Sequence, residues 1–359
     1  MGALVIDELR RAYQGRRVFV TGDTGFKGSW LCVALRELGA EVSGYALPAA
    51  QERDQFAVAR LDQLVHHTDG DVRDAASLQR SMSQASPQVV FHLAAQPIVR
   101  DSYSDPKTTF DTNIGGTVNV LEAVRCSAHV RALVVVTSDK CYRNNEWTWG
   151  YRENDALGGS DPYSASKAAA ELVFSAYATS FFRREDLGAA TVRAGNVIGG
   201  GDWSPHRIVP DCIRALEAGN PIILRNPEST RPWQHVLEPV SGYLLLGARL
   251  LQDPDRHGGA WNFGPRAERA RTVRELAEQI ISTWGAGRIS IEKNPGAPHE
   301  AGLLQLNCDK ARIELGWEAT WDFATAATET ARWYRRFASG ESPLDLTRDQ
   351  IHRYFHFEQ

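Results

Sequence analysis

A tyrosine and a lysine four positions apart, Tyr163 and Lys167 in the run YSASK, are residues whose types and spacing could do chemistry. Residues i and i+4 share one face of a helix. An ammonium beside a phenol favours the phenolate, which draws the tyrosine pKa towards a range useful for base catalysis. Alone, such a pair is more often a surface Tyr and Lys on an amphipathic helix. Here it follows Ser138 by 25 residues, and Ser138, Asp139 and Lys140 themselves stand at the end of the apolar run ALVVV. An acid and a base side by side suit an elimination, in which one group takes a C–H proton and the other protonates the departing oxygen. A lysine base must be neutral when it acts, so its pKa has to fall below the model value of about 10.4 through desolvation or nearby cations. The bland alternative for Asp139 and Lys140 is a solvated charge pair at a strand end.

A second stretch with chemical meaning lies near the start, where RVFV runs straight into TGDTGFKG, with Gly22, Gly25 and Gly28 spaced by three. Glycines there permit a tight turn and let backbone N–H groups and a helix N-terminus approach a pyrophosphate. Gly22, Thr24, Gly25, Phe26, Lys27 and Gly28 are therefore expected to hold a dinucleotide, although the spacing departs from GxGxxG. The acid that usually binds the ribose 2′-hydroxyl is missing, because the second strand ends Gly44-Tyr45-Ala46-Leu47-Pro48. That point leaves the cofactor open. No Arg stands there for a 2′-phosphate, which favours NAD over NADP. Asp71 and Val72, in GDVRD after a third short strand, are expected at the adenine, with a plain loop carboxylate as the alternative for Asp71. Leu93, Ala94 and Ala95 in HLAAQ are assigned to the cofactor as well.

Elements that would position these residues follow from the hydrophobic pattern. Short β-branched runs alternate with longer helical periods: RVFVTG, a helix ending near Leu38-Gly39, EVSGYAL, VVFHLAA, ALVVVTS and AATVRAG. Strands separated by helices mean a parallel sheet, and consecutive apolar residues such as Val134-Val135-Val136 mean strands covered on both faces. The expected fold is α/β, a Rossmann-type doubly wound parallel sheet with a smaller mixed α/β lobe for the substrate on the C-terminal side. Residues 1–195 with 233–265 are assigned to the first part, and 196–232 with 266–359 to the second. Loops rich in Gly, Pro, Trp and Arg begin after Asn196, with helices expected over Asp211–Ala218, Thr272–Trp284 and Phe323–Phe337. The polar end from Gly340 onward is expected to be loosely held.

Composition excludes several classes. The 359 residues are 43% hydrophobic, enough for a large core, and 40 basic against 44 acidic residues leave no block of charge for nucleic acid or an anionic membrane. The five cysteines, Cys32, Cys126, Cys141, Cys212 and Cys308, show no CxxC spacing. Neither a disulfide framework nor a metal site is expected. The N-terminus lacks an uninterrupted apolar core, no stretch is long enough to span a membrane, and Ile6 breaks the myristoylation pattern. A cytoplasmic protein with a small-molecule partner is the expectation.

TGxxGFxG, HLAAQ at His92 to Gln96, a strand ending in Ser/Thr and YxxxK are together similar to the extended short-chain dehydrogenases, the NAD-dependent epimerase/dehydratase family, over most of the chain. This resemblance implies NAD as cofactor, Ser138 and Tyr163 on a sugar hydroxyl, Lys167 on the nicotinamide ribose and Asn113 in support of the proton path. Asp139-Lys140 stands where the related dTDP-glucose dehydratases carry Asp-Glu and where simple epimerases lack such a pair. The implied reaction is a sugar-nucleotide 4,6-dehydration: Tyr163 takes the C4 hydroxyl proton, Lys140 the C5 proton, and Asp139 protonates the leaving C6 hydroxyl. The runs GFKGSWL, SDKCY, EWTWGYREND and RAGNVIGGGDW resemble the CDP-glucose branch of these dehydratases, and the preference for CDP-glucose rests on that resemblance alone.

Gln96, Asn196, Arg207, Arg231 and Asn262 are the residues assigned to the substrate, the arginines because a forked guanidinium suits a sugar diphosphate. Trp203, Trp233 and Trp261 could stack on a base, though packing is the commoner fate of Trp. Ala168, Ala169, Ala170, Leu172, Val173, Phe174 and Ala176 make one helix apolar on most sides, so it is either deep in the fold or paired with a second copy. A homodimer is expected. The alternatives in view are a dehydratase of another nucleotide hexose, a 4-epimerase or reductase on the same fold, and a catalytically silent NAD-binding protein.

Overall fold

Val18, Val20, Val134 and Val136 pack into one hydrophobic core while the alternate residues of the same strands, Phe19, Leu133 and Val135, pack into another. That two-sided burial is what continuous apolar runs produce when they sit in the middle layer of a sheet covered on both faces. The computed structural model describes residues 3–182, 186–266, 271–292 and 303–357. Its large sheet has seven strands: β1 (Arg17–Thr21), β2 (Glu41–Ala46), β3 (His66–Asp69), β4 (Val89–His92), β5 (Ala132–Val136), β6 (Gly188–Arg193) and β7 (Gly259–Asn262). The spatial order is β3-β2-β1-β4-β5-β6-β7, and every pairing is parallel. The fold is thus Rossmann-like. The order reverses between β1 and β4, which opens a crevice at the carboxyl ends of the strands, the place where such sheets take ligands.

Helix α1 (Phe26–Glu37) follows β1 and is buried continuously from Gly28 to Leu35. Its outer side is covered by the last helix of the chain, Pro343–Phe355, whose Arg348 and His352 reach Glu37 at 2.9 and 2.6 Å. The expectation of a loosely held end therefore fails. Leu346, Ile351, Tyr354 and Phe355 are apolar at helical spacing and all buried, and their period was masked by the charged residues between them.

Between β6 and β7 the chain builds the second wall of the crevice and then returns, as helix Leu237–Gln252 packs against β5 and β6. Helices Ile208–Glu217, Val273–Trp284 and Phe323–Ala338 pack with one another. Short strands brace them, Ile222–Leu224 with Ile289–Ile291 and Thr230–Arg231 with Arg271–Thr272. Thr272 and Glu275 close a capping box at the start of the middle helix. The five cysteines are free, and among the described residues no helix is long and apolar enough to cross a membrane.

Candidate active site

β5 delivers its last residues to the crevice, and the chain then turns sharply through Asp139–Cys141. Ser138 builds that turn. Its hydroxyl accepts the Lys140 N–H at 3.2 Å and donates to Asp139 Oδ1 at 2.9 Å, a side-chain alternative to regular backbone pairing that Ser favours. Asp139 is 3% exposed and Lys140 half-buried, so the pair is not the solvated strand-end pair of the bland reading.

Helix α2 (Pro162–Ser180) carries Tyr163 and Lys167. Asp161 caps it by accepting the Ser164 N–H at 2.9 Å, and Pro162 takes the first helical position, where no N–H is needed. Asn113, in the π-helical turn Asp111–Gly115, anchors the same end: its Nδ2 donates to Ser166 Oγ at 2.8 Å, and Ser166 donates to the Tyr163 carbonyl at 2.7 Å. Asn113 thus braces the tyrosine from behind.

Burial dominates the ionisation of both helix residues. Tyr163 is pushed up to about 12 by burial, with the Ser138 hydrogen bond pulling it down, Asp139 pushing it up and Arg207 pulling it down. Lys167 is drawn down to about 8 by burial, against the charges of Glu171 and Cys141, and its ammonium donates to the Val136 carbonyl at 3.5 Å. The expected lowering of the phenol by Lys167 is therefore corrected for the protein alone: burial dominates, and Lys167 is not among the groups that act on the phenol.

The glycine turn fits a dinucleotide. Gly22 has φ +78°, and a Cβ there would stand 2.6 Å from the Ala94 backbone nitrogen, so β1 and β4 approach at this point only because the residue is glycine. A Cβ on Gly28 would run into the Gly22 carbonyl. The α1 N-terminus opens beside them, with its unpaired backbone N–H groups available to an anion.

One cleft of about 1730 Å³ is lined by Gly22, Thr24 to Gly28, Asp71, Val72 and Leu93 to Gln96, by Ser138 to Lys140, Tyr163 and Lys167, and by Asn196, Arg207 and Arg231. The structure thus gathers every expected site residue except Asn262 and the bracing Asn113. Asn262 is a correction. It is fully buried, with its carboxamide bonded to the Tyr151 and Asn307 carbonyls and the Tyr142 hydroxyl, because β7 ends inside the protein rather than in the crevice. Gln96 borders the cleft but binds its own segment through Ile98 and Thr109. Asp71 is held by Arg73, whose guanidinium keeps that carboxyl below its ordinary range. Arg207 pairs with Asp202 at 2.9 Å. Asn196 adopts φ +48°, a left-handed conformation typical of functional turns. Trp203 and Trp233 border the cleft, whereas Trp261 is core, its indole donating to the His257 carbonyl at 2.9 Å.

One expected residue does more than the sequence reading gave it, and one buried pair escaped that reading. Lys27 reaches beyond the glycine turn: burial draws it down to about 8, with Arg207 and Lys167 acting the same way and Asp139 opposing them. It faces the reacting groups as well as the cofactor's place. Glu171 and Arg193 form a buried pair, each side chain 3% exposed, and Glu171 also accepts from Thr137 and Thr191. Glu171 lies one turn beyond Lys167, the i+4 spacing that could have revealed it.

The chain matches the family model described as GDP-mannose 4,6 dehydratase over residues 19–330. It is 46% identical to the CDP-glucose 4,6-dehydratase of Salmonella typhimurium, covering 95% of this chain and 97% of that one. Among solved structures it is similar to the epimerase Mth375 of Methanothermobacter thermautotrophicus, with a TM-score of 0.81 at 24% identity over 97% of this chain and 98% of that one. It is also similar to DesIV, a dTDP-glucose 4,6-dehydratase of Streptomyces venezuelae solved with NAD bound, with a TM-score of 0.77 at 25% identity over 91% and 99%.

Proposed function

The chain belongs to the GDP-mannose 4,6-dehydratase family, and from this we propose that it is a hydro-lyase converting CDP-glucose to CDP-4-keto-6-deoxyglucose. The observation that carries the reaction class is the turn that places Asp139 and Lys140 beside Ser138 in the same cleft as Tyr163 and Lys167. The choice of CDP-glucose rests on the Salmonella relative, which matches this chain nearly end to end.

NAD would supply the hydride chemistry, from sugar C4 to C6. Gly22 to Gly28 would cradle its pyrophosphate, Leu93 to Ala95 its middle, and Asp71 with Val72 its adenine end. Lys167 would hold the nicotinamide ribose. Tyr163 takes the proton of the C4 hydroxyl, which Ser138 helps to orient. The resulting 4-ketone acidifies the C5 proton, Lys140 takes that proton, and Asp139 protonates the C6 hydroxyl as it leaves. Arg207 and Arg231 are the cations proposed for the substrate diphosphate, with Asn196 beside them.

A homodimer in the cytoplasm completes the reading. Tyr103 and Leu172 stand 63% and 61% exposed on neighbouring helices, so α2 is not deep in the fold on that side and a second copy would cover it. Sedimentation at micromolar concentration should find dimers, and Leu172→Glu should shift them to monomers.

The deciding experiment supplies purified protein and NAD with CDP-, dTDP-, UDP- or GDP-glucose and follows loss of water by mass spectrometry. Dehydration of CDP-glucose alone is expected. Dehydration of another nucleotide would overturn the base assignment, and isomerisation at C4 without water loss would overturn the reaction class.

A further inference from the structure

We infer that Tyr142 is a positioning residue for the elimination: its hydroxyl fixes the far end of the turn after β5, and with it the direction of Lys140, without touching the oxidation at Tyr163. This rests on the dehydratase reading, in which Lys140 takes the C5 proton.

The two charged residues of the turn are held differently. Asp139 accepts from the Ser138 hydroxyl at 2.9 Å and lies against Gly195, where a Cβ would run into its carboxylate. The entry to the turn is pinned by backbone, as the Thr137 and Asp139 N–H groups donate to the Val192 and Ala194 carbonyls at 2.9 and 3.4 Å. The Lys140 backbone N–H donates to Ser138 Oγ at 3.2 Å, and among the described residues nothing hydrogen-bonds its ammonium. Where Lys140 points therefore depends on how the turn ends.

A side chain fixes that end. Tyr142, two residues past Lys140, is 1% exposed. Its hydroxyl donates to Asn262 Oδ1 at 2.8 Å and accepts from Arg193 Nη1 at 2.7 Å. Asn262 Nδ2 donates to the Tyr151 and Asn307 carbonyls, which leaves Oδ1 as the acceptor. Burial pushes the Tyr142 hydroxyl above its ordinary range, so it keeps the proton that it donates. Its ring stacks on Tyr151 at 5.1 Å and lies 4.8 Å from the Arg193 guanidinium. The other nitrogens of Arg193 donate to Glu171, one turn past Lys167 on α2. One guanidinium thus joins the end of the turn to the helix that carries Tyr163 and Lys167. A buried hydroxyl bonded on both sides fixes position more strictly than ring packing does, because any shift leaves two buried partners unsatisfied. Tyr163 is anchored separately, through Asp161, Ser166 and Asn113 at the start of its own helix.

The test is a single turnover of CDP-glucose, unlabelled or deuterated at C5, by protein in excess with NAD. NADH absorbance is followed in wild type, Tyr142→Phe, Lys140→Ala and the double variant. Tyr142→Phe keeps the ring and its stacking. It should form NADH at the wild-type rate and consume it on the order of 10²-fold more slowly, as misplacing a reacting group by about 1 Å does. The deuterium effect on that decay should grow. In the Lys140→Ala background Tyr142→Phe should add no further slowing, since its effect runs through Lys140. Asn262→Ser removes the same hydrogen bond from the acceptor side and should give the same split. An unchanged decay, equal slowing of NADH formation and decay, or a slowing that adds to that of Lys140→Ala would leave Tyr142 a packing residue and overturn the inference. Failure of the wild type to form NADH from CDP-glucose would instead overturn the dehydratase reading itself.

Discussion

At the scale of single residues, the proposed reaction assigns oxidation to Tyr163 on helix α2 and elimination to Asp139 and Lys140 on the turn after β5. Tyr163→Phe should abolish NADH formation as well as product. Asp139→Asn should leave C4 oxidation in place and slow water loss on the order of 10²-fold, so that NADH accumulates. Stopped-flow absorbance distinguishes the two. Lys167 supplies a pH dependence of known sign: drawn down to about 8 by burial, it is an ammonium below that pH and neutral above it. Affinity for NAD, measured by fluorescence titration, should therefore weaken as pH rises from about 7 to 9, and Lys167→Met should reduce that dependence to the part that Lys27, also drawn down to about 8, supplies. These residue types and spacings were legible in the sequence. Their ionisation was not, since it depends on how much water the fold removes from each group.

Elements set the angles at which those residues meet. Glu171 ties three of them together, accepting from Thr137 after β5, from Thr191 and Arg193 in β6, and sitting on α2 itself. Removing one partner of a buried pair strands the other charge, which costs about 3–5 kcal/mol. Glu171→Ala should lose that much stability in urea denaturation, with activity falling further because the Tyr163 helix loses its anchor to the sheet. The helix periods, the glycine turn and the strand ends were readable because each is a local pattern. Asn262 misled because it stands at a strand end, as site residues do, but β7 is the outermost strand and the segment Tyr151 to Glu153 covers its end.

For the whole molecule, burial of histidine makes stability fall in acid. His92 and His235 are both pushed by burial from 6.5 to about 3, so between those values the unfolded chain binds protons that the folded protein refuses. Stability then drops as pH falls, by about 2 kcal/mol per histidine at pH 5. Asp23 and Glu238, whose carboxyls burial raises, pull the other way. The clean comparison is His235→Gln against wild type: thermal melting should show the wild type losing more stability than the variant between pH 7 and 5. The sequence by itself determined the order of strands and helices, the dinucleotide turn and the pairing of acid with base, because each depends on residues close in the chain. Only the tertiary structure decided that the last helix packs on α1, that Asn262 serves the core, and that Asp139 is buried in the turn that Ser138 builds. Those outcomes depend on which distant segments meet and which groups lose their water, and no local spacing encodes either.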